Sequence, residues 1–237
     1  MDIPKSHPRY ESLMQRHLIE EAVNSGVVTP TGMIAQGRGE TFDYLIGEKT
    51  TASAELAEKA AVCLLSQAKS PVISVNGNVA ALCAKDVVAL AKILNAKIEV
   101  NLFYWTAERE KKIAAVLKNA GACNVYGTGK KVEIPDLDSA RGMVDPEGFA
   151  KADVVLVMLE DGDRTEALRK TGKKVAAIDL NPLSRTAQAA DITIVDNIIR
   201  ALPNMVKFAK QGCSVKGFDN QKNLKEAFKE IKKTLSP

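Results

Sequence analysis

Apolar positions along the chain follow two rhythms. Short continuous runs rich in Val, Ile and Ala alternate with longer stretches of helical period. The runs fall at Pro71–Val75, Lys97–Asn101, Cys123–Tyr126, Asp153–Leu159, Lys174–Asp179 and Asp191–Val195, and each reads as a strand. The stretches between them predict helices over 51–69, 79–94, 106–120, 163–171, 184–189 and 197–211. Strands this apolar, bounded by Gly, Asn and Asp, belong to a mostly parallel sheet buried by helices on both faces. The pattern therefore predicts a doubly wound α/β fold.

Three stretches depart from the alternation. Residues 9–25 carry a rough helical period, and 220–235 form an amphipathic stripe of Leu224, Phe228, Ile231 and Leu235. Residues 26–50 are rich in glycine and charge and read as a shaped loop region, and 127–148 read as an irregular excursion. The expected organisation is a helical N-terminal arm and Gly-rich region over 1–50, packed on an α/β core with a C-terminal helix over 51–237, as one compact unit.

Composition narrows the function. Apolar residues make up 46% and aromatics only 5%, which favours helices on a parallel sheet over an aromatic-rich sandwich. Lys and Arg number 33 against 29 Asp and Glu, a net charge of +4, with no basic cluster interleaved with aromatics. That argues against a nucleic-acid binder and suits an anionic small substrate. The N-terminus lacks the apolar core of a signal peptide, and no apolar run is long enough to span a membrane. Cys63, Cys83, Cys123 and Cys213 are scattered, which suggests reduced thiols in a cytoplasmic protein. Neither a dinucleotide fingerprint, a P-loop nor a serine-hydrolase elbow occurs.

Ligands of such folds bind beyond the carboxyl ends of the strands. Four turns there are polar. Asn76-Gly77-Asn78 opens a helix whose free N–H groups suit an anion, or is a plain capped turn. Glu160-Asp161-Gly162-Asp163 crowds carboxylates, so that Asp161 and Asp163 either hold Mg²⁺ against a phosphate or merely start a helix, with Asp163 as its cap. In Asp179-Leu180-Asn181-Pro182-Leu183-Ser184-Arg185-Thr186, Asp179 can accept from a ribose or adenine and Arg185 and Thr186 can meet phosphate, or the segment is an ordinary proline-containing loop. Asp196-Asn197 follows the next strand. Gly37-Arg38-Gly39 leaves backbone room for a phosphate, a weak signal as a bare G-x-G, and Lys5, His7 and Arg9 either concentrate cations for an anion or form a solvated N-terminal arm. Residue physics thus reaches a polyanion-binding crevice and does not name a reaction.

Longer strings do. IPKSHPRYESL, GRGETFDYLIGE, SPVISVNGNVAAL, AKIEVNLFY, LEDGDRTEALRKTGK and IDLNPLSRTAQAADITIVDNIIRA occur in this order. Together they closely resemble the archaeal 4-phosphopantoate–β-alanine ligases, the phosphopantothenate synthetases, from about residue 3 to about residue 210. The resemblance implies a Rossmann-like homodimer that uses ATP and Mg²⁺ to join 4-phosphopantoate to β-alanine through an acyl-adenylate, for coenzyme A synthesis. It implies ATP contacts at Arg16, Arg38, Asp179, Leu180, Asn181, Arg185, Thr186, Asn197 and Ile198. Arg38 is the expected catalytic cation, and Lys5, His7 and Asn76-Gly77-Asn78 are expected to serve the substrate's own phosphate. Another ATP-dependent amide ligase and a non-catalytic nucleotide sensor remain as alternatives.

Overall fold

The computed structural model describes residues 3–134, 142–212, 214–215 and 217–233. Five parallel strands form its main sheet: β1 (Pro71–Val75), β2 (Lys97–Val100), β5 (Val154–Met158), β6 (Lys174–Ile178) and β7 (Ile192–Ile194), in the spatial order β2-β1-β5-β6-β7. The order reverses between β1 and β5, so the fold has its topological switch point there. A small antiparallel pair, β3 (Val132–Glu133) with β4 (Met143–Val144), lies within the 127–148 excursion.

Alternation across the pleat assigns the two faces. Ile73, Val75, Ile98, Val100, Leu156, Ile178 and Ile194 point to one core cluster, which α3 (Ala52–Ser66), α4 (Gly77–Leu94), α5 (Ala107–Asn119) and α8 (Ile198–Gln211) complete. Ile19 and Ala22 of α1 (Tyr10–Asn24), with Val27 and Val28, join the same cluster. Val72, Val155, Val157, Val175 and Ala177 point the other way, onto Phe149 and onto Leu168 of α6 (Gly162–Lys170). The short α7 (Arg185–Ala189) follows β6.

The expected doubly wound parallel sheet is present, with local corrections. The predicted loop region over 26–50 contains a helix, α2 (Pro30–Ile46). Its end signals are ordinary: Thr29 accepts from the Gly32 amide at 3.1 Å, Pro30 stands in the first turn, and Gly47 closes the helix in the left-handed region. The internal glycines look like breakers, and of them Gly32 serves a close approach. A Cβ on Gly32 would stand 2.6 Å from Asn78 Oδ1. The run at Cys123–Tyr126 is no strand and contributes one isolated bridge, Tyr126 to Glu99. Helix α4 begins at Gly77 with Asn76 as its cap, and α6 is preceded by Asp161, not Asp163. Cys83 and Cys123 are free, whereas Cys63 is disulfide-bonded, against the expectation of reduced thiols.

The final helix, α9 (Asn220–Lys233), buries Leu224 and Ala227 against Ile46 and Leu180. Leu235 of the predicted stripe lies outside the described residues. Among the described residues no helix is long and apolar enough to cross a membrane.

Candidate functional site

The carboxyl edge of the sheet is roofed by α2 and by the connection before it. At the switch point a cavity of about 320 Å³ opens between α2, the start of α4 and the end of β5. Arg38, Asn76, Gly77, Asn78 and Asp161 line it, so five residues from three separate sequence motifs meet in one place.

Local chemistry builds each wall. The Asn76 side chain caps α4 by accepting from the Val79 amide at 3.1 Å. Its Nδ2 donates to the Met158 carbonyl at 2.9 Å and so ties β1 to β5 across the switch point. Leu159, at the end of β5, holds φ at 51°, a left-handed conformation that an apolar side chain rarely adopts. Asn78 is buried, and its Nδ2 donates to the Gly32 carbonyl at 2.9 Å, which joins α4 to α2. Gly77 is required here: a Cβ would stand 2.4 Å from the Val27 carbonyl oxygen. The starts of α2 and α4 thus meet at the cavity, and helix N-termini favour negative charge.

The next strand end continues the edge. Asp179 accepts from the Asn181 amide at 2.9 Å and from the Ser184 hydroxyl. Burial pushes its carboxyl above the usual range, against those hydrogen bonds and the charge of Arg38. Ser184 also caps α7 by accepting from Ala187 N at 2.9 Å, and Asn181 Oδ1 accepts from Leu183 N at 3.0 Å. The 179–184 turn is therefore fixed by its own side chains. Gly39 of α2 rests over Leu180, where a Cβ would meet Leu180 Cδ1 at 3.5 Å.

Other predicted residues sit elsewhere. Arg16 lies on a separate groove between α1 and α2 and makes two bonds to Glu40, at 2.8 and 2.6 Å. Arg185 is exposed and pairs with Asp163 and Glu166, and a Cβ on Gly162 would stand 2.3 Å from Arg185 Cβ. Thr186 is buried and donates to the Glu160 carbonyl at 2.8 Å. Asn197 is 4% exposed beneath the edge; its Nδ2 donates to Asp43 at 2.7 Å and to Gln15 at 3.1 Å. Ile198 is core. Lys5 and His7 are exposed and line none of this cavity. No group of three metal-ligating side chains occurs among the described residues, and Asp161 alone of the two aspartates lines the cavity.

Beneath Asn197 lies a polar network that sequence reading missed. Arg200 bridges Asp43 and Asp196, Thr50 donates to Asp196 at 2.5 Å, and Asn204 reaches Glu58 at 3.4 Å. Burial, with Asp196 nearby, pushes the Glu58 carboxyl up to about 8, so Glu58 keeps its proton at neutral pH. Arg109, on the first turn of α5, also lines the cavity and was missed. Its position shortly after β2 was the only available signal.

A parallel doubly wound sheet in which two helix starts meet at a cavity on the switch point defines an α/β protein of the class that binds its ligands beyond the carboxyl ends of the strands. Residues 53–234 match the family described as phosphopantothenate/pantothenate synthetase. A 4-phosphopantoate–β-alanine ligase of Thermococcus kodakarensis is 51% identical over 246 residues, covering 100% of this chain and 94% of the relative. The ligase of that name from Methanosarcina mazei is 51% identical over 243 residues, covering 99% and 96%. The chain belongs to the phosphopantothenate/pantothenate synthetase family.

Proposed function

We propose that this protein condenses 4-phosphopantoate with β-alanine at the expense of ATP, in the cytoplasm and as a homodimer, to give 4′-phosphopantothenate, AMP and pyrophosphate for coenzyme A synthesis. The observation that carries the reading is identity of about half the residues, over nearly the whole length, to relatives named for this reaction. The exposed apolar residues Met33, Ile34 and Tyr44 of α2 support a subunit contact on that side.

The reaction divides into two steps. A carboxylate oxygen of 4-phosphopantoate attacks the α-phosphorus of ATP, the bond to the β-phosphate oxygen breaks, and pyrophosphate leaves. The β-alanine amine, once deprotonated, then attacks the acyl carbon and AMP departs with the bonding pair. Both steps need negative charge neutralised and the partners held in register. Arg38 faces the cavity and takes the phosphate charge. Asp179 and Asn181 accept and donate to the nucleoside from the self-braced turn beside Leu180, and Arg185 meets phosphate once released from Asp163 and Glu166, while the buried Thr186 anchors the turn to the Glu160 carbonyl. Arg16 stands in the separate groove between α1 and α2, and Asn197 and Ile198 are buried, so none of the three is assigned a direct nucleotide contact.

Bound Mg²⁺ would supply further charge neutralisation on the ATP phosphates. Asp161 fits that role, since Mg²⁺ is commonly held by one or two carboxylates together with phosphate oxygens. Asp163 is engaged by Arg185 and would have to be released to share it.

The adenylate route has an isotopic signature. With ¹⁸O in the carboxylate of 4-phosphopantoate, one labelled oxygen is expected in AMP. Label in inorganic phosphate, with ADP as the nucleotide product, would mean an acyl-phosphate route instead.

A further inference from the structure

The switch-point cavity holds Arg109, a cation with no ion pair among the described residues. Arg109 stands on the first turn of α5, which Thr106 caps by accepting from the Arg109 amide at 3.2 Å. Its guanidinium is drawn back against backbone alone: Nη1 donates to the Tyr104 carbonyl, and Nη2 reaches the Val27 carbonyl at 3.4 Å. Its Nε is buried with no partner. Burial holds its pKa below the usual guanidinium range. Arg16, Arg164, Arg185 and Arg200 each have a carboxylate partner. A half-buried charge left uncompensated is costly unless a ligand supplies the counter-charge.

The surroundings fit an anion. Arg109 Nη2 lies 3.4 Å from where a Cβ on Gly77 would stand, so the guanidinium borders the open start of α4. Arg38, on the α2 side of the same cavity, makes no ion pair among the described residues. The substrate proposed above carries two anionic ends. Its carboxylate must meet the α-phosphate of ATP, which leaves its phosphate to a second cationic position.

We infer that Arg109, beside the Gly77-Asn78 start of α4, binds the phosphate of 4-phosphopantoate and makes the enzyme select the phosphorylated acid over pantoate. This rests on the ligase reading. Lys5 and His7, the cations expected for that role, lie outside the cavity lining.

The test is calorimetric titration of 4-phosphopantoate and of pantoate into wild type, Arg109→Ala and Arg109→Lys, with steady-state kinetics on the same proteins. Loss of one charge-assisted contact predicts 4-phosphopantoate binding weaker by about 10- to 100-fold in Arg109→Ala, less in Arg109→Lys. Pantoate binding and the KM for ATP should change less than about twofold, by the same logic of uniform binding. If Arg109→Ala does not fold, Arg109→Lys carries the test, because loss of the planar fork still weakens a phosphate contact. Unchanged 4-phosphopantoate affinity, or equal losses for both acids, would overturn the inference. Wild type that binds 4-phosphopantoate through Arg109 but forms no amide would overturn the ligase reading and leave the phosphate site standing.

Discussion

Arg38→Ala lowers kcat/KM for ATP by about two to three orders of magnitude, the cost typical of removing one preorganised donor from a developing charge. Arg38 is exposed, makes no ion pair among the described residues, and faces the switch-point cavity from α2. Its removal therefore should leave stability within about 0.5 kcal/mol of wild type. That separation makes the prediction sharp, since a fall in activity with unchanged urea midpoint assigns the loss to chemistry. The Asp179 carboxyl, raised by burial, should rise further once the nearby positive charge is gone. Kinetics near wild type would show that Arg38 does not contact the phosphates.

Arg164→Ala is expected to destabilise the fold by about 3–5 kcal/mol, because it leaves buried carboxylates without their counter-charge. Arg164 is 1% exposed. Its Nη1 pairs with Glu160 and donates to Ser74 Oγ at 3.2 Å, and the guanidinium lies over the Phe149 ring at 4.3 Å. Burial lowers its pKa to about 10, so it stays charged at neutral pH. Glu99, fully buried with its carboxyl raised to about 7, is also helped by that charge. Glu160 immediately precedes the Asp161 that lines the cavity, so the same ion pair fixes the cavity wall. An exposed pair gives the control: Lys229→Ala removes the contact to Glu226 and should leave the urea midpoint almost unchanged. Urea titration of both variants checks the contrast, and equal small effects would show that Glu160 and Glu99 accept neutralisation without Arg164.

The strand–helix alternation made the sheet legible, since period and β-branching report directly on burial from both faces. The missing piece was α2. Its glycines at 32, 37 and 39 weigh against a helix locally, yet Gly32 is demanded by Asn78 and Gly39 sits over Leu180. Tertiary approach outweighed propensity there, and only the Thr29-Pro30 start and the Gly47 stop betrayed the helix. The site was legible where it follows strand ends, as at Asn76 and Asp179. Arg109 and the Asp43–Asp196–Arg200 network were not, because Arg109 meets the Val27 carbonyl across 82 positions of sequence and Arg200 meets Asp43 across 157. Arg16 and Asn197 came from family resemblance alone or with a weak local signal, and they stand in a different groove and beneath the edge respectively.

The most direct measurement is product formation with each of ATP, 4-phosphopantoate and β-alanine withheld in turn. The expected products are 4′-phosphopantothenate, AMP and pyrophosphate in equal amounts, sustained only when all three are present. Turnover with unphosphorylated pantoate in preference to 4-phosphopantoate, or ATP binding with no amide formed, would contradict the ligase reading.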